Sequence, residues 1–306
     1  MIDPNLPLRT LITGGGGQLA SYLVNELPSQ TTIVLSHAEL DITDTTAVTH
    51  AMASHAPDVV INTAAFHQVD ACETNIAKSF FVNAEGALIL ARACANANAA
   101  LVHVSSDYVF GGQSDCTPLP EHTAPAPLSV YGTSKLAGEH LIRTTGPRHL
   151  IVRTCGLYGS VGSSGKGGNF VRTMLRLARE HDAVRVVNDQ TCTPSYALDV
   201  AEAMVGLIKA NARGTYHVVN SGSCTWYEFA KEIFSAAGLS PTVTPVTSTE
   251  FPTAASRPPY SVLATDRMVA TRGHALRTWK QAVGAYLTEI GERAPARTAT
   301  PKCTAI

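Results

Sequence analysis

The chain has 306 residues, 45% of them hydrophobic and 15% charged, with a formal net charge of −1 at pH 7. That length supports one domain plus a smaller lobe, and the balanced charge offers no basic field to nucleic acid. No apolar run can span a bilayer and no signal peptide precedes the first strand, so a cytoplasmic protein without membrane partners is expected. Its seven cysteines are scattered without a C-x-x-C pair and its eleven histidines lack ligand spacing, so no metal is expected.

In chain order, Leu8 to Thr13 reads as a buried strand. It runs into Gly14-Gly15-Gly16-Gly17-Gln18-Leu19-Ala20, and Gln18 to Leu27 then has helical spacing. Strand, glycine turn and helix form the context of a dinucleotide fingerprint, in the register Gly14-x-x-Gly17-x-x-Ala20. Glycines admit a pyrophosphate, and a helix N-terminus offers it free N–H groups and partial positive charge. On this motif alone, a plain glycine-rich turn reads equally well. The second strand is expected at Thr32–Ser36; Ser36 and His37 stand at its tip, with Glu39 and Asp41 beyond. A carboxylate fixed at that tip would bind ribose hydroxyls and repel a 2′-phosphate. None is expected here, so the reading favours NADPH and leaves NADH possible.

Thr43 or Asp44 caps a helix to about His55, and Asp58 to Asn62 is a third strand followed by the small residues Thr63-Ala64-Ala65. Ala71 to Ala97 is expected as one long helix containing Asn83 and Gly86. Leu101 to Ser105 is a fourth strand ending at Ser106, and His149 to Arg153 a further one. Strands alternating with helices predict an α/β protein, a Rossmann-type doubly wound parallel sheet with a smaller, discontinuous substrate-binding lobe. Residues 1–153 form the dinucleotide-binding domain in this reading and 154–292 mainly the lobe. Residues of about 184–224, with strands at Ala183–Val187 and Gly214–Val219 and a helix at Asp199–Lys209, return to the core sheet; 293–306 is a disordered tail. Ligands bind beyond the carboxyl ends of such strands, where Gly14, Ala64, Ser106 and Thr154 fall.

Tyr131 and Lys135 share a face of a helix starting near Ser129, and Ser106 lies 25 residues before Tyr131. An adjacent ammonium favours phenolate and lowers a phenol's pKa. Lys135 can also hold the nicotinamide ribose. Ser106 would bond the substrate oxygen while Tyr131 donates a proton to the new alkoxide. Each feature alone reads as an ordinary helix or turn residue; their order beside a glycine loop describes hydride transfer to a carbonyl.

The segments TGGGGQLA (13–20), VNAEGA (82–87), HVSSDYVF (103–110), PLSVYGTSKLAGE (127–139), VVNDQTCTPSYALDVA (186–201) and SRP (256–258) carry a closer resemblance. From about Arg9 to Gly284 the chain resembles the extended short-chain dehydrogenases and, within them, the dTDP-4-dehydrorhamnose reductase family. The resemblance implies NAD(P)H-dependent reduction of a nucleotide-linked 4-keto-6-deoxy sugar, dTDP-4-dehydro-L-rhamnose to dTDP-L-rhamnose. The alternatives are another dTDP-4-keto deoxysugar, or a nucleotide-binding regulatory subunit without turnover. It implies Ser106, Tyr131 and Lys135 as the catalytic set. It places Gly14, Gly17, Gln18, Leu19, Asp41, Ile42, Ala64, Ala65 and Asn83 along the cofactor, and Asp107, Tyr108, Asn169, Gln190 and Arg257 around the sugar nucleotide. A homodimer is a further possibility. Gly156 stands where the family often has Trp, His67 where it often has Thr, and the loop Ser160–Gly168 is longer and glycine-rich. A large aromatic contact with the sugar is therefore expected to be missing. Tyr22 falls where some members place a metal-binding carboxylate.

Overall fold

The computed structural model describes residues 8–161 and 168–294. Most of the Ser160–Gly168 loop and nearly all of the expected tail lie outside those residues. The main sheet is six-stranded and parallel. It takes β1 (Thr10–Thr13), β2 (Thr32–Leu35), β3 (Val59–Asn62), β4 (Ala100–Ser106), β5 (Arg148–Thr154) and a last strand, Gly214–His217. From one edge the order is Gly214–His217, β5, β4, β3, β1, β2. Chain order therefore reverses between β1 and β3, the switch point at which open α/β sheets bind ligands.

Period-two alternation splits the strand residues between two cores. Ile12, Ile61, Val102 and Val152 face one apolar cluster, Leu11, Val60, Leu101 and Ile151 the other. The helix α1 (Gln18–Glu26) packs in the first cluster against α8 (Ala197–Lys209). The second is covered by α2 (Thr45–His55), capped by Asp44 through Thr46 N and Ala47 N, and by α5 (Gly86–Asn96).

Sequence periodicity joined 71–97 into one helix; the chain divides it. Two short helices, α3 (Val69–Thr74) and α4 (Ile76–Phe80), meet at Asn75, and a π-turn at Phe81–Glu85 precedes α5. The π-turn carries Asn83, whose buried amide grips both backbone groups of Phe66 at 2.9 and 3.0 Å. One extra residue per turn changes nothing in apolar spacing that a single sequence reveals.

After β4 the chain makes a tight turn over Asp107–Val109, and α6 (Val130–Thr145) lies against it. Ser129 caps α6 by accepting from Gly132 N at 3.1 Å. A Cβ at Gly132 would stand 2.1 Å from the Tyr108 carbonyl oxygen, so the helix comes this close only with glycine there.

Of the two late strands, Gly214–His217 joins the main sheet. Ala183–Val187 instead pairs in parallel with Thr242–Val246, in a two-stranded sheet of its own. Aromatic rings join the later elements to one another: Tyr158 stacks at 5.8 Å on Tyr196, the residue before α8, and Phe170 at 5.6 Å on Phe229 of the helix Trp226–Ala236.

Candidate active site

A cavity of about 370 Å³ opens beyond the carboxyl ends of β1, β3, β4 and β5. Its wall on the β1 side is the glycine turn. Gly14 has φ +76°, and a Cβ there would sit 2.7 Å from Ala64 N, so turn and β3 touch backbone to backbone. Gly17 N closes the turn on Gly14 O at 3.0 Å, while a Cβ at Gly16 would meet nothing within 4 Å. Gly17 is the N-cap of α1 and has no side chain to occupy the first N–H groups. These features fit a dinucleotide pyrophosphate: close backbone, a helix N-terminus and open space beside it.

Ser106, Tyr131 and Lys135 all line this cavity, with Gly17, Gln18, Leu19, Ala65, Asp107, Tyr108 and Asn169. Ser106 Oγ donates to Asp107 Oδ1 at 3.0 Å and accepts from Tyr108 N at 3.2 Å. Asp107 is buried, and Ser261 Oγ (2.7 Å) and Cys155 Sγ (3.0 Å) also donate to it. Burial pushes its carboxyl upward, opposed by those hydrogen bonds. Its side chain is thus spent on fixing Ser106 and on joining β4 to two later segments. Tyr108 packs edge-on against Tyr131, ring centroids 5.6 Å apart.

The expected effect of lysine on tyrosine is not the one found. Burial pushes the Tyr131 phenol upward, and the Ser106 hydroxyl offsets only part of this. Lys135 Nζ turns instead into the sheet, donating to Val104 O at 2.7 Å and lying 3.3 Å from His103 Nε2. Burial lowers Lys135 to about 8, against the opposing charge of Glu139. Glu139 itself is buried; despite that cost, Arg153, Ser105 and Arg143 hold its carboxyl at about 2. Tyr131 therefore stays a phenol through neutral pH, the form a proton donor needs.

Several residues expected at the site lie off the cavity. Asn83 is committed to Phe66 and to Ser134 Oγ (3.0 Å), and so shapes the loop after β3 rather than facing the cavity. Gly14 and Ala64 meet behind the turn. Ile42 is a core residue, and Asp41 accepts from Thr43 N and Oγ1. Gln190 bonds Ser248 Oγ at 2.9 Å. Arg257 makes a two-pronged ion pair with Asp70 at 3.0 and 2.8 Å. Asn169, by contrast, lines the cavity: it caps α7 (Phe170–Glu180) through Arg172 N (3.1 Å) and reaches Gln18 Oε1 at 3.2 Å, tying the lobe to the first turn of α1.

Two expectations about the pocket change. The tip of β2 does hold a carboxylate: Glu39 Oε2 accepts from Ser36 N (2.8 Å) and Ser36 Oγ (2.7 Å). The reason is an ordinary four-residue turn, closed by Glu39 N on Ser36 O at 3.1 Å, which brings an exposed side chain back onto a free strand-end N–H. Nor is an aromatic absent beside Gly156. That residue has φ +52°, and the Trp226 ring lies 3.3 Å from where a Cβ would be. Trp226 in turn packs on Phe170, centroids 4.7 Å apart, and Phe170 lines the cavity. Neither His103 nor Trp226 was singled out in the sequence; a histidine in a buried strand's last turn toward the site was the available signal for the first.

A Rossmann-type parallel sheet with a glycine turn on β1 and a cavity at its switch point is the architecture of a dinucleotide-dependent oxidoreductase. The chain belongs to the RmlD family: the model described as RmlD substrate binding domain matches residues 8–291. It is similar to dTDP-4-dehydrorhamnose reductase of Mycobacterium tuberculosis (H37Rv), 39% identical over 300 residues, covering 94% of this chain and 97% of that one. A probable dTDP-4,6-dihydroxy-2-methyloxan-3-one 4-ketoreductase of Streptomyces antibioticus is 37% identical, covering 95% and 99%. Among solved structures, dTDP-4-dehydrorhamnose reductase of Bacillus anthracis in complex with NADP superposes with a TM-score of 0.87 at 37% identity, covering 93% of this chain and all of that one.

Proposed function

We propose that the protein is an NADPH-dependent ketoreductase that takes dTDP-4-dehydro-L-rhamnose to dTDP-L-rhamnose. The observation that carries this reading is one cavity in which Ser106, Tyr131 and Lys135 face the glycine turn. The nicotinamide, when bound, supplies the hydride to the sugar's C4. Every other part of the chemistry falls to this chain's residues. Ser106 Oγ, held in place by Tyr108 N, turns its one proton from Asp107 Oδ1 to donate to the carbonyl oxygen. Tyr131, protonated at neutral pH, donates its proton as that oxygen becomes an alkoxide. Lys135 then returns a proton toward the tyrosinate. The downhill direction follows from Lys135 lying near 8 and burial raising Tyr131.

The glycine turn and the start of α1 hold the pyrophosphate in this scheme. Ser36 N–H and Oγ–H, the donors now taken by Glu39, are the pair a 2′-phosphate would accept from. Residues 1–153 act mainly on the dinucleotide and 154–292 mainly on the sugar nucleotide. The protein works in the cytoplasm as a homodimer, which sedimentation of the purified enzyme tests; no helix among the described residues is long and apolar enough to cross a membrane.

A second substrate reading has its own observation. Trp226 reaches the pocket wall beside Gly156 from a different part of the chain, so the wall facing the sugar is built differently from one with Trp at 156. Another dTDP-4-keto deoxysugar is then accepted alongside 4-dehydro-L-rhamnose. The test is NADPH oxidation across a panel of dTDP-4-keto sugars. Turnover of dTDP-4-dehydro-L-rhamnose is expected. No turnover of any member, with NADPH and the nucleotide sugar both bound, would identify a regulatory subunit instead.

A further inference from the structure

Thr13, Asn62 and His103 are register partners across β1, β3 and β4, so their side chains form one row on one face of the sheet. All three are buried, and the row ends at Lys135 Nζ. Its hydrogen-bond directions can be read from one fixed point. Ala64 N donates to Asn62 Oδ1 at 3.0 Å, and a peptide N–H cannot accept. Thr13 Oγ1 donates to the same oxygen at 2.8 Å. The amide is therefore oriented, and Asn62 Nδ2 must be the donor to His103 Nδ1, 3.1 Å away. A neutral imidazole whose Nδ1 accepts carries its proton on Nε2. Burial, with the Lys135 charge adding to it and Glu139 opposing, keeps His103 neutral. Its Nε2–H thus points at Lys135 Nζ, 3.3 Å away.

Two donors facing each other repel, whereas a neutral amine can accept that N–H. We propose that His103, its tautomer fixed by Asn62 and Ala64 N–H, is a positioning residue that disfavours the Lys135 ammonium and makes it a readier proton donor toward Tyr131. The groups around Lys135 agree with this division of labour. Glu139, one turn along α6, favours the ammonium, but its charge is already matched by Arg153 at 2.7 Å and Arg143 at 2.8 Å. Tyr131 is on the same helix face, and Val104 O accepts from Nζ in either protonation state. A proton donor works best with a pKa near the working pH. The row also ties Lys135 to the peptide after β3, against which Gly14 packs, so amine and glycine turn share one rigid frame.

The catalytic part rests on the ketoreductase reading; the tautomer and the lysine titration do not. The first test is ¹⁵N-histidine NMR of the wild-type protein. A neutral Nε2–H tautomer for His103 through pH 6–9 is expected, and an Nδ1–H tautomer or an imidazolium overturns the proposal whatever the activity. The second is Lys135 itself, followed by ¹³Cε NMR. In Asn62→Asp the carboxylate accepts from Nδ1–H, turning Nε2 into an acceptor for the ammonium. In His103→Gln the amide is free to turn its carbonyl to Nζ. Both should weaken the acidity of Lys135 by a factor of about ten, and both should move the alkaline limb of the kcat profile for NADPH oxidation the same way with KM little changed. An unmoved lysine titration in two folded variants overturns the proposal. The predicted tautomer and titration in a protein that reduces no keto sugar would leave His103's role in place and remove the ketoreductase reading.

Discussion

The two walls of the cavity are built in different ways. The wall carrying Ser106, Tyr131 and Lys135 comes from one strand end and the first turns of one helix, within 30 residues of chain. The wall facing the lobe is assembled from remote pieces: Asn169 before α7, Gly156 after β5, and Trp226 reaching Gly156 from 70 residues on. The near wall buries charged and polar groups in a closed network, Lys135, His103, Asn62 and Glu139 among them. The far wall is backed by aromatic packing: Phe170 lines the cavity, with Trp226 and Phe229 in mutual contact behind it. Chemistry demands the first kind of order, because a proton donor misplaced by an ångström fails. Shape selection needs only the second, and aromatic packing is the easier to rearrange.

The comparison is broken most sharply at Tyr131. Tyr131→Phe removes the proposed proton donor while keeping the ring that packs on Tyr108, and kcat should fall by about 10²–10⁴ with cofactor affinity intact. Wild-type kcat in that variant would show the near wall is not the reacting one. Lys135→Met tests the energetic cost of the same wall. The folded protein holds Lys135 at about 8 against an ordinary 10.5, so below pH 8 the charged lysine destabilises the fold. That penalty is relieved as pH rises from about 8 to 10.5, since the folded state loses the proton first. Lys135→Met should therefore be more stable at neutral pH, by up to about 3 kcal/mol, and the gain should vanish near pH 10.5. Denaturant melts at both pH values check it.

Glycine substitutions sharpen the contrast further. Gly14→Ala forces a side chain into a left-handed conformation and onto Ala64 N, and should cost at least 1–2 kcal/mol and most cofactor affinity. Gly16→Ala, with open space ahead of it, should leave stability unchanged. On the far wall, Gly156→Trp meets a left-handed backbone and the Trp226 ring, so it should destabilise by about 1–2 kcal/mol rather than narrow selectivity cleanly. Trp226→Leu leaves the backbone unstrained and is the better probe; it should change the ranking of keto sugars at a stability cost of about 1–3 kcal/mol from lost ring packing. The smallest effect belongs to Glu39→Gln. Glu39 is fully exposed, and the substitution removes its negative charge while a glutamine oxygen can still accept from Ser36, so repulsion of a 2′-phosphate is relieved and the NADPH to NADH affinity ratio should rise modestly in a fluorescence titration.

The near wall was also the more legible in sequence. Strand ends, a glycine turn and a Tyr–Lys pair at helical spacing are local signals, and they placed β1 to β5, Ser106, Tyr131 and Lys135. The long helix at 71–97 was legible in type but not in its break, because a π-turn at Phe81–Glu85 leaves the apolar pattern intact. Asp107 was legible as a cavity residue, but its partners Cys155 and Ser261, 48 and 154 residues away, were not. Gln190 and Arg257 carry motif-like sequences, yet their side chains are engaged by Ser248 and Asp70 outside the cavity. Trp226 had no local signature at all, since its relation to Gly156 exists only after the lobe folds back.

The most direct test of the central claim follows the hydride. Wild-type protein incubated with NADPH deuterated at the transferable nicotinamide position and dTDP-4-dehydro-L-rhamnose should yield dTDP-L-rhamnose carrying deuterium at sugar C4, and Tyr131→Phe should make it at a small fraction of the rate. Binding of both molecules by the wild-type protein without any transfer of deuterium would contradict the account.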